Sequence, residues 1–326
     1  MLVRNNAGRA DLRAYLGDRA FYTKIAQIAI PIMLQSLITV GINLMDTIML
    51  SSMGDAQLSA SSLAGQFINL FHICCMGIGM GASVLTARFW GMEDLPSLRQ
   101  AVTIMLRLVT AFALLFTIAT ILTPTGILWI YTKDAEIIEY GAIYLRWLIP
   151  TYLCMGLSLT CTIVLRSVGQ VQIPLISSIL AFFINVFFNW VFIFGRLGAP
   201  RMEIAGAALG TLIARAFEFF FICGYFFFRD RRIAYRLHHL GTRCRALLGE
   251  YLRVSIPVLI SDSLLALGNN AVAMIMGHIG RAFVAANSVT VVVQQLSSVF
   301  TQGLSNASGI ITRHTMGEGD FEKAQP

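Results

Sequence analysis

Gln35, Thr39, Asn43 and Asp46 follow one another at spacings of four, four and three residues in an otherwise oily stretch. At about 100° per residue, four such side chains fall within roughly 80° of one another on a helix. They make one polar stripe that ends in a carboxylate. Asn185 and Asn189 stand one helical turn apart, and Thr211, Arg215 and Glu218 share a second helical face. Amide, hydroxyl and carboxylate oxygens of this kind can ligate a hard cation such as Na⁺. They can equally form a hydrogen-bond network that serves a proton on Asp46. Arg215 and Glu218, three residues apart, can also simply neutralise each other. Asp262 lies between Ser255 and Asn269 at heptad spacing and is a candidate contact for a cationic substrate. Pro31 precedes Asp46 by fifteen residues, and a proline inside a helix removes a hydrogen bond and supplies a place to bend.

The elements that carry these residues are set by composition. Of 326 residues, 56% are hydrophobic and 13% are charged, against about 25% charged in soluble domains. Mean hydropathy is +0.72. The apolar residues form eight long runs, near 25–52, 58–87, 100–122, 137–164, 173–195, 203–228, 252–277 and 284–312. Roughly 20 apolar residues cross a hydrocarbon core as a helix, so the chain reads as an all-α, multi-span membrane bundle. With the N-terminus placed in the cytoplasm, sixteen Lys and Arg residues flank the spans on that side and four (Lys133, Arg196, Arg201 and Arg281) on the other. This is the positive-inside pattern of a multi-pass plasma-membrane protein. It accounts for the net charge of +7 without a nucleic-acid partner. The stretch RDRRIAYRLHHLGTRCR (229–245) reads as a cytoplasmic loop near anionic lipid.

Other features read as packing. Five of the six cysteines lie in apolar runs with no C-x-x-C, which predicts neither a disulfide framework nor a zinc site. GIGMGAS (77–83) lacks the Gly-Lys-Ser/Thr ending of a phosphate loop, and its small residues predict close helix contact. His72 and Cys75 have no neighbouring acid to complete a catalytic set. The amides Asn287, Gln294, Gln295, Gln302 and Asn306 of the eighth run are read as glue between helices. No cofactor is expected, and no metal beyond Na⁺ at Asp46. Residues 1–24 do not resemble a cleaved signal peptide.

A repeat at an offset of 226 organises the chain. Ile30-Pro31 lies over Ile256-Pro257, Gly54 over Gly280, Gly77 over Gly303, and Asp94 over Asp320. Six spans separate the copies, so both enter the membrane in one orientation, which predicts parallel repeats about an axis along the membrane normal. The expected organisation is a cytoplasmic segment (1–24), a six-helix lobe (25–228), a basic inter-lobe loop (229–250) and the first two helices of a second lobe (251–326). The expectation is of a chain cut short after the eighth helix.

The stretch IPIMLQSLITVGINLMDTIMLSSMGDAQLSASSLA with GMGASVLTARFWGMEDLPSLRQAV, then LRSVGQVQIPLISSILAFFINVFFNWVFIFG and AGAALGTLIAR, resembles the multidrug and toxic compound extrusion (MATE) transporters. The resemblance runs from about residue 21 to the end. It implies a two-lobe, twelve-helix antiporter that exports organic cations or other amphipathic compounds against H⁺ or Na⁺. It also implies a cation-coupling set of Asp46, Asn185, Asn189 and Thr211, and a hinge at Pro31. Gln35, Thr39, Asn43, Asp262 and Glu218 are the expected substrate-cavity residues. Relatives often carry an acid at the position of Asn189; the amide here leaves one negative charge fewer and favours H⁺.

The expected mechanism is alternating access by a secondary transporter, monomeric, with small amphipathic or cationic substrates and membrane lipid as partners. A flippase for lipid-linked oligosaccharides or peptidoglycan precursors shares the helical plan, but its phosphates would call for cavity arginines, with Arg146, Arg166 and Arg215 the candidates. A membrane enzyme would need a clustered His/Asp/Glu set at one surface, and the sequence has none. A channel fits a repeat built for rocking less well.

Overall fold

A computed structural model describes residues 19–241, 244–279, 294–299, 301, 303–305, 308–309 and 312. Its elements are α1 (Arg19–Ser51), α2 (Asp55–Gly91), α3 (Leu95–Leu122), α4 (Pro124–Tyr131), α5 (Ala135–Trp147), α6 (Thr151–Ser167), α7 (Gln172–Phe194), α8 (Ile204–Gly224) and α9 (Arg245–Ile279). A π-helical turn, Tyr225–Arg229, and a 3₁₀ turn, Leu237–Gly241, lie between α8 and α9. Among the described residues there is no strand, and six helices are long and apolar enough to cross a membrane. The fold is a helical membrane bundle, as composition predicts.

Local chemistry sets the helix ends. Asp94 caps α3 by accepting the Ser97 N–H at 3.1 Å, with a proline in the first turn. Asp134 caps α5 by accepting the Glu136 N–H at 3.1 Å. Gly195 ends α7 at φ 66°, the left-handed cap that glycine adopts without a Cβ penalty. The run read as one span over 137–164 is two helices, α5 and α6, meeting at 56°. Pro150 stands at the break and cannot donate a backbone hydrogen bond. The eighth run lies almost wholly outside the described residues, as do Asn287, Gln302 and Asn306.

The helices alternate between two ends of the bundle, and the basic loop marks one of them. α2 is the central rod: 67% of its most apolar window is buried, against 17–39% in the other spans. It packs on α3, α5, α6 and α9, while α1 packs on α7 and α7 on α8. Phe71 of α2, Phe116 of α3 and Tyr152 of α6 meet ring to ring at 5.2–6.1 Å. The small residues of GIGMGAS allow this crowding. A methyl group on Gly77 would lie 2.9 Å from the Leu259 Cα, and one on Gly81 would lie 2.6 Å from the Ser255 Cα.

The Gly77 contact has a counterpart. Gly303 stands against Met33 of α1. Gly77 and Gly303 are 226 residues apart, and so are Met33 and Leu259. The two contacts exchange under the repeat offset. A twofold axis imposes that relation, since residue i then meets j and j meets i.

The basic loop folds back as a strap. Asp230, fully buried, accepts from Gln170 at 3.0 Å and from the Ile233 N–H at 2.9 Å. Arg99 of α3 donates to the Ile233 carbonyl at 2.9 Å. The buried Tyr235 hydroxyl shares a 2.8 Å bond with Thr103, and burial pushes its phenol above the ordinary value.

Candidate functional site

The site forms where α1, α5, α7 and α8 converge, toward the end of the bundle away from the basic loop. α7 contributes Asn185 and Asn189, both buried, one turn apart on the face that packs on α8. The Asn189 amide nitrogen donates to Asp46 Oδ1 at 2.5 Å and to Asn185 Oδ1 at 3.3 Å. The Asn185 amide nitrogen in turn lies 3.4 Å from Thr211 Oγ1. The close α7–α8 approach depends on Gly210, where an added methyl group would meet the Asn189 side chain and lie 2.9 Å from its backbone nitrogen. The four residues of the expected cation-coupling set therefore form one continuous chain of polar contacts.

One acceptor in that chain is idle. Asn189 Oδ1 is buried without a hydrogen-bond partner. A buried polar group left unpaired is costly, and here it sits on the amide that holds the carboxylate.

Tyr144 completes the site. It is buried near the end of α5, within polar reach of Thr211 and electrostatic reach of Asp46. Sequence reasoning passed over it, because an aromatic near a span end reads as part of an interfacial belt. Its one signal in the sequence is Pro150, three residues past Trp147, beside the 56° break that sets α5 apart from α6.

A second group extends from the site along α8. Arg215, one turn from Thr211, donates to Glu218 at 2.8 Å, and its charge also acts on Asp46, Tyr144 and His72. Glu218 in turn acts on Arg166, near the end of α6, and Arg166 donates to Gln35 on α1. Gln35 and Glu218 thus belong to a polar file running from Asp46 toward the basic end of the lobe. The neutralising pair inferred for Arg215 and Glu218 is present.

The remaining candidates stand apart. Thr39 and Asn43 lie on an exposed face of α1, with the Thr39 hydroxyl spent on the Gln35 carbonyl at 3.0 Å. The stripe on α1 therefore divides: its two ends turn inward and its middle does not. Pro31 lies within α1, which runs on unbroken through it. Asp262, on α9, is half-exposed and lies across α2 from the site. Its heptad neighbours diverge, with Ser255 buried against Gly81 and Asn269 exposed. Among the described residues no cluster of His, Cys, Asp or Glu could hold a metal ion, and none of the six cysteines is in a disulfide.

The MatE family pattern matches residues 31–191. The chain is 27% identical over 304 residues to the probable multidrug resistance protein NorM of Agrobacterium fabrum, covering 90% of this chain and 63% of that protein. It is 25% identical over 304 residues to the probable multidrug resistance protein NorM of Thermotoga maritima, covering 92% and 64%. Among solved structures, it is similar in fold to a MOP superfamily transporter from Pyrococcus furiosus, with a TM-score of 0.81 at 24% identity over 93% of this chain and 66% of that one. The chain thus spans somewhat under two thirds of the length of the curated relatives it matches. The matched pattern holds the Pro31–Asp46 helix and both α7 asparagines, the similarity to its relatives runs over nine tenths of the chain, and the fold is shared: the chain is similar to the MATE transporters in sequence pattern and in fold.

Proposed function

We propose that this chain carries the ion-coupling lobe of a secondary transporter that exports amphipathic or cationic organic compounds in exchange for H⁺. The observation that supports it is the idle acceptor beside the carboxylate. Ionised Asp46 accepts from the Asn189 amide nitrogen. A protonated Asp46 becomes a donor and needs an acceptor, and Asn189 Oδ1 supplies one if the amide turns over. That turn reverses the bond between Asp46 and Asn189 and breaks the one from Asn189 to Asn185. Loading a proton thus changes how α1 is held on α7, and Pro31, whose ring nitrogen cannot donate to the carbonyl of residue 27, lets α1 respond by bending.

Na⁺ is the weaker fit. The site has one carboxylate, an amide where relatives often have an acid, and a guanidinium within electrostatic reach. The substrate cavity lies between two lobes, 25–228 and the one that begins at 251, joined by the loop 229–250. Thr39 and Asn43 on α1 and Asp262 on α9 supply its polar contacts, while Gln35 and Glu218 connect it to the coupling site. The protein works as a monomer in the plasma membrane with its N-terminus in the cytoplasm. Flippase chemistry is disfavoured, because Arg166 and Arg215 are engaged with Gln35 and Glu218.

The test is substrate-evoked proton movement in proteoliposomes and drug tolerance in cells, with Asp46→Asn against the parent in the complete reading frame. Asp46→Asn is expected to lose both, and removal of Na⁺ to change neither. Undiminished export by Asp46→Asn overturns the reading.

A further inference from the structure

On the outer side of the lobe, α3, α6 and α8 diverge around a groove of about 420 Å³, within the usual ligand-pocket range of ~300–1,000 Å³. Its walls are apolar, with Leu106 from α3, Leu157 from α6, Phe220 from α8 and Leu240 from the 3₁₀ turn. The one hydroxyl, on Thr110, is spent on the Leu106 carbonyl at 2.7 Å. Phe220 and Phe228 are 71% and 76% exposed along its length, so the groove opens sideways.

Its basic end is capped by cations. Arg107 is exposed on α3 between Leu106 and Thr110, and its guanidinium donates to the Leu240 carbonyl at the mouth. Arg229 and His238 are exposed and directly follow the lining residues Phe228 and Leu237. The stretch 229–241 holds four arginines and one acid, and that acid, Asp230, is buried among its own loop amides and Gln170. Arg107 stands on the half of α3 nearer the basic loop, twelve residues after Leu95 and fifteen before Leu122.

We propose that this groove is a binding site for an anionic phospholipid, with an acyl chain lying along the α3–α8 wall and the headgroup phosphate held by Arg107 and Arg229. The charge decides the class, since cations at the surface of a leaflet attract acidic lipid and an arginine fork pairs well with phosphate oxygens. The inference requires only that the chain spans a membrane and is independent of transport.

The experiment is native mass spectrometry of the protein released from nanodiscs of equal parts phosphatidylglycerol and phosphatidylcholine. One phosphatidylglycerol is expected to remain bound at least tenfold more often than phosphatidylcholine. Arg107→Ala with Arg229→Ala is expected to abolish that preference, and filling the groove with Thr110→Trp to remove the retained lipid. Thr110→Trp should keep the parent's helicity and monodispersity; if it does not, the milder Leu157→Phe takes its place. Equal retention of the two lipids, or retention that survives a filled groove, overturns the proposal: the first reduces the contact to oil, the second to loop charge alone.

Discussion

At the scale of single residues, Asn189 holds the greatest consequence. It is fully buried, it donates twice through one nitrogen, and its oxygen has no partner. Asn189→Asp keeps the volume and adds a second carboxylate beside Asp46. Two acids this close cannot both stay ionised without a counter-ion. The variant is therefore expected to gain Na⁺-dependent thermal stabilisation that the parent lacks, read as a melting-temperature rise with NaCl that choline chloride does not produce. Gly210→Ala probes the same spot from α8. Its methyl group meets the Asn189 side chain and backbone nitrogen, so destabilisation of about 1–3 kcal/mol is expected from overpacking. Thermal unfolding in detergent checks the loss, and an infrared difference spectrum checks that the Asp46 carboxyl band shifts.

At the scale of elements, the small residues of α2 and the proline of α1 have separate roles. Gly81 receives Ser255 of α9 at backbone distance. Gly81→Val is expected to destabilise by ~1–3 kcal/mol and to loosen α9 from α2. Gly249, also in a helix, has open space where a Cβ would stand. Gly249→Ala is expected to be neutral or to stabilise by up to about 1 kcal/mol, and hydrogen exchange across α9 separates the two outcomes. Pro31 is a matter of compliance. Pro31→Ala restores a backbone donor inside α1, so melting temperature is expected to rise while proton-coupled export falls. Export at the parent's rate would leave the proline as an inert kink.

At the scale of the whole molecule, the charges inside the lobe balance as a file. Asp46, Arg215, Glu218 and Arg166 alternate in sign from the site toward the basic end. The Arg215–Glu218 pair is only 28% and 12% exposed in its side chains. Removing one partner leaves the other charge without its match, at a cost of about 3 kcal/mol. Arg215→Gln and Glu218→Gln are each expected to destabilise by that order, and the double variant by less than their sum. A double-mutant cycle of thermal unfolding measures the coupling, and additivity would show that the two charges act separately.

Much of this was legible in the chain itself, because lipid leaves few options. Long apolar runs must become helices, since no water is there to satisfy their backbone. A carboxylate among them must face something polar, so helical spacing marked the separate polar faces that carry Asp46, Asn185 with Asn189, and Thr211, while it was the resemblance to MATE transporters that grouped the four. The repeat was legible for the same reason, and the paired contacts Gly77–Leu259 and Met33–Gly303 obey its offset. What the sequence could not reveal depends on angles and neighbours. The 56° break turns Tyr144 into the site. The rotation of α1 buries Gln35 against Arg166 while leaving Thr39 and Asn43 exposed. The divergence of α3, α6 and α8 opens a lipid-facing groove. Periodicity tells which residues share a face, but only the packing of one helix against several others decides what that face meets.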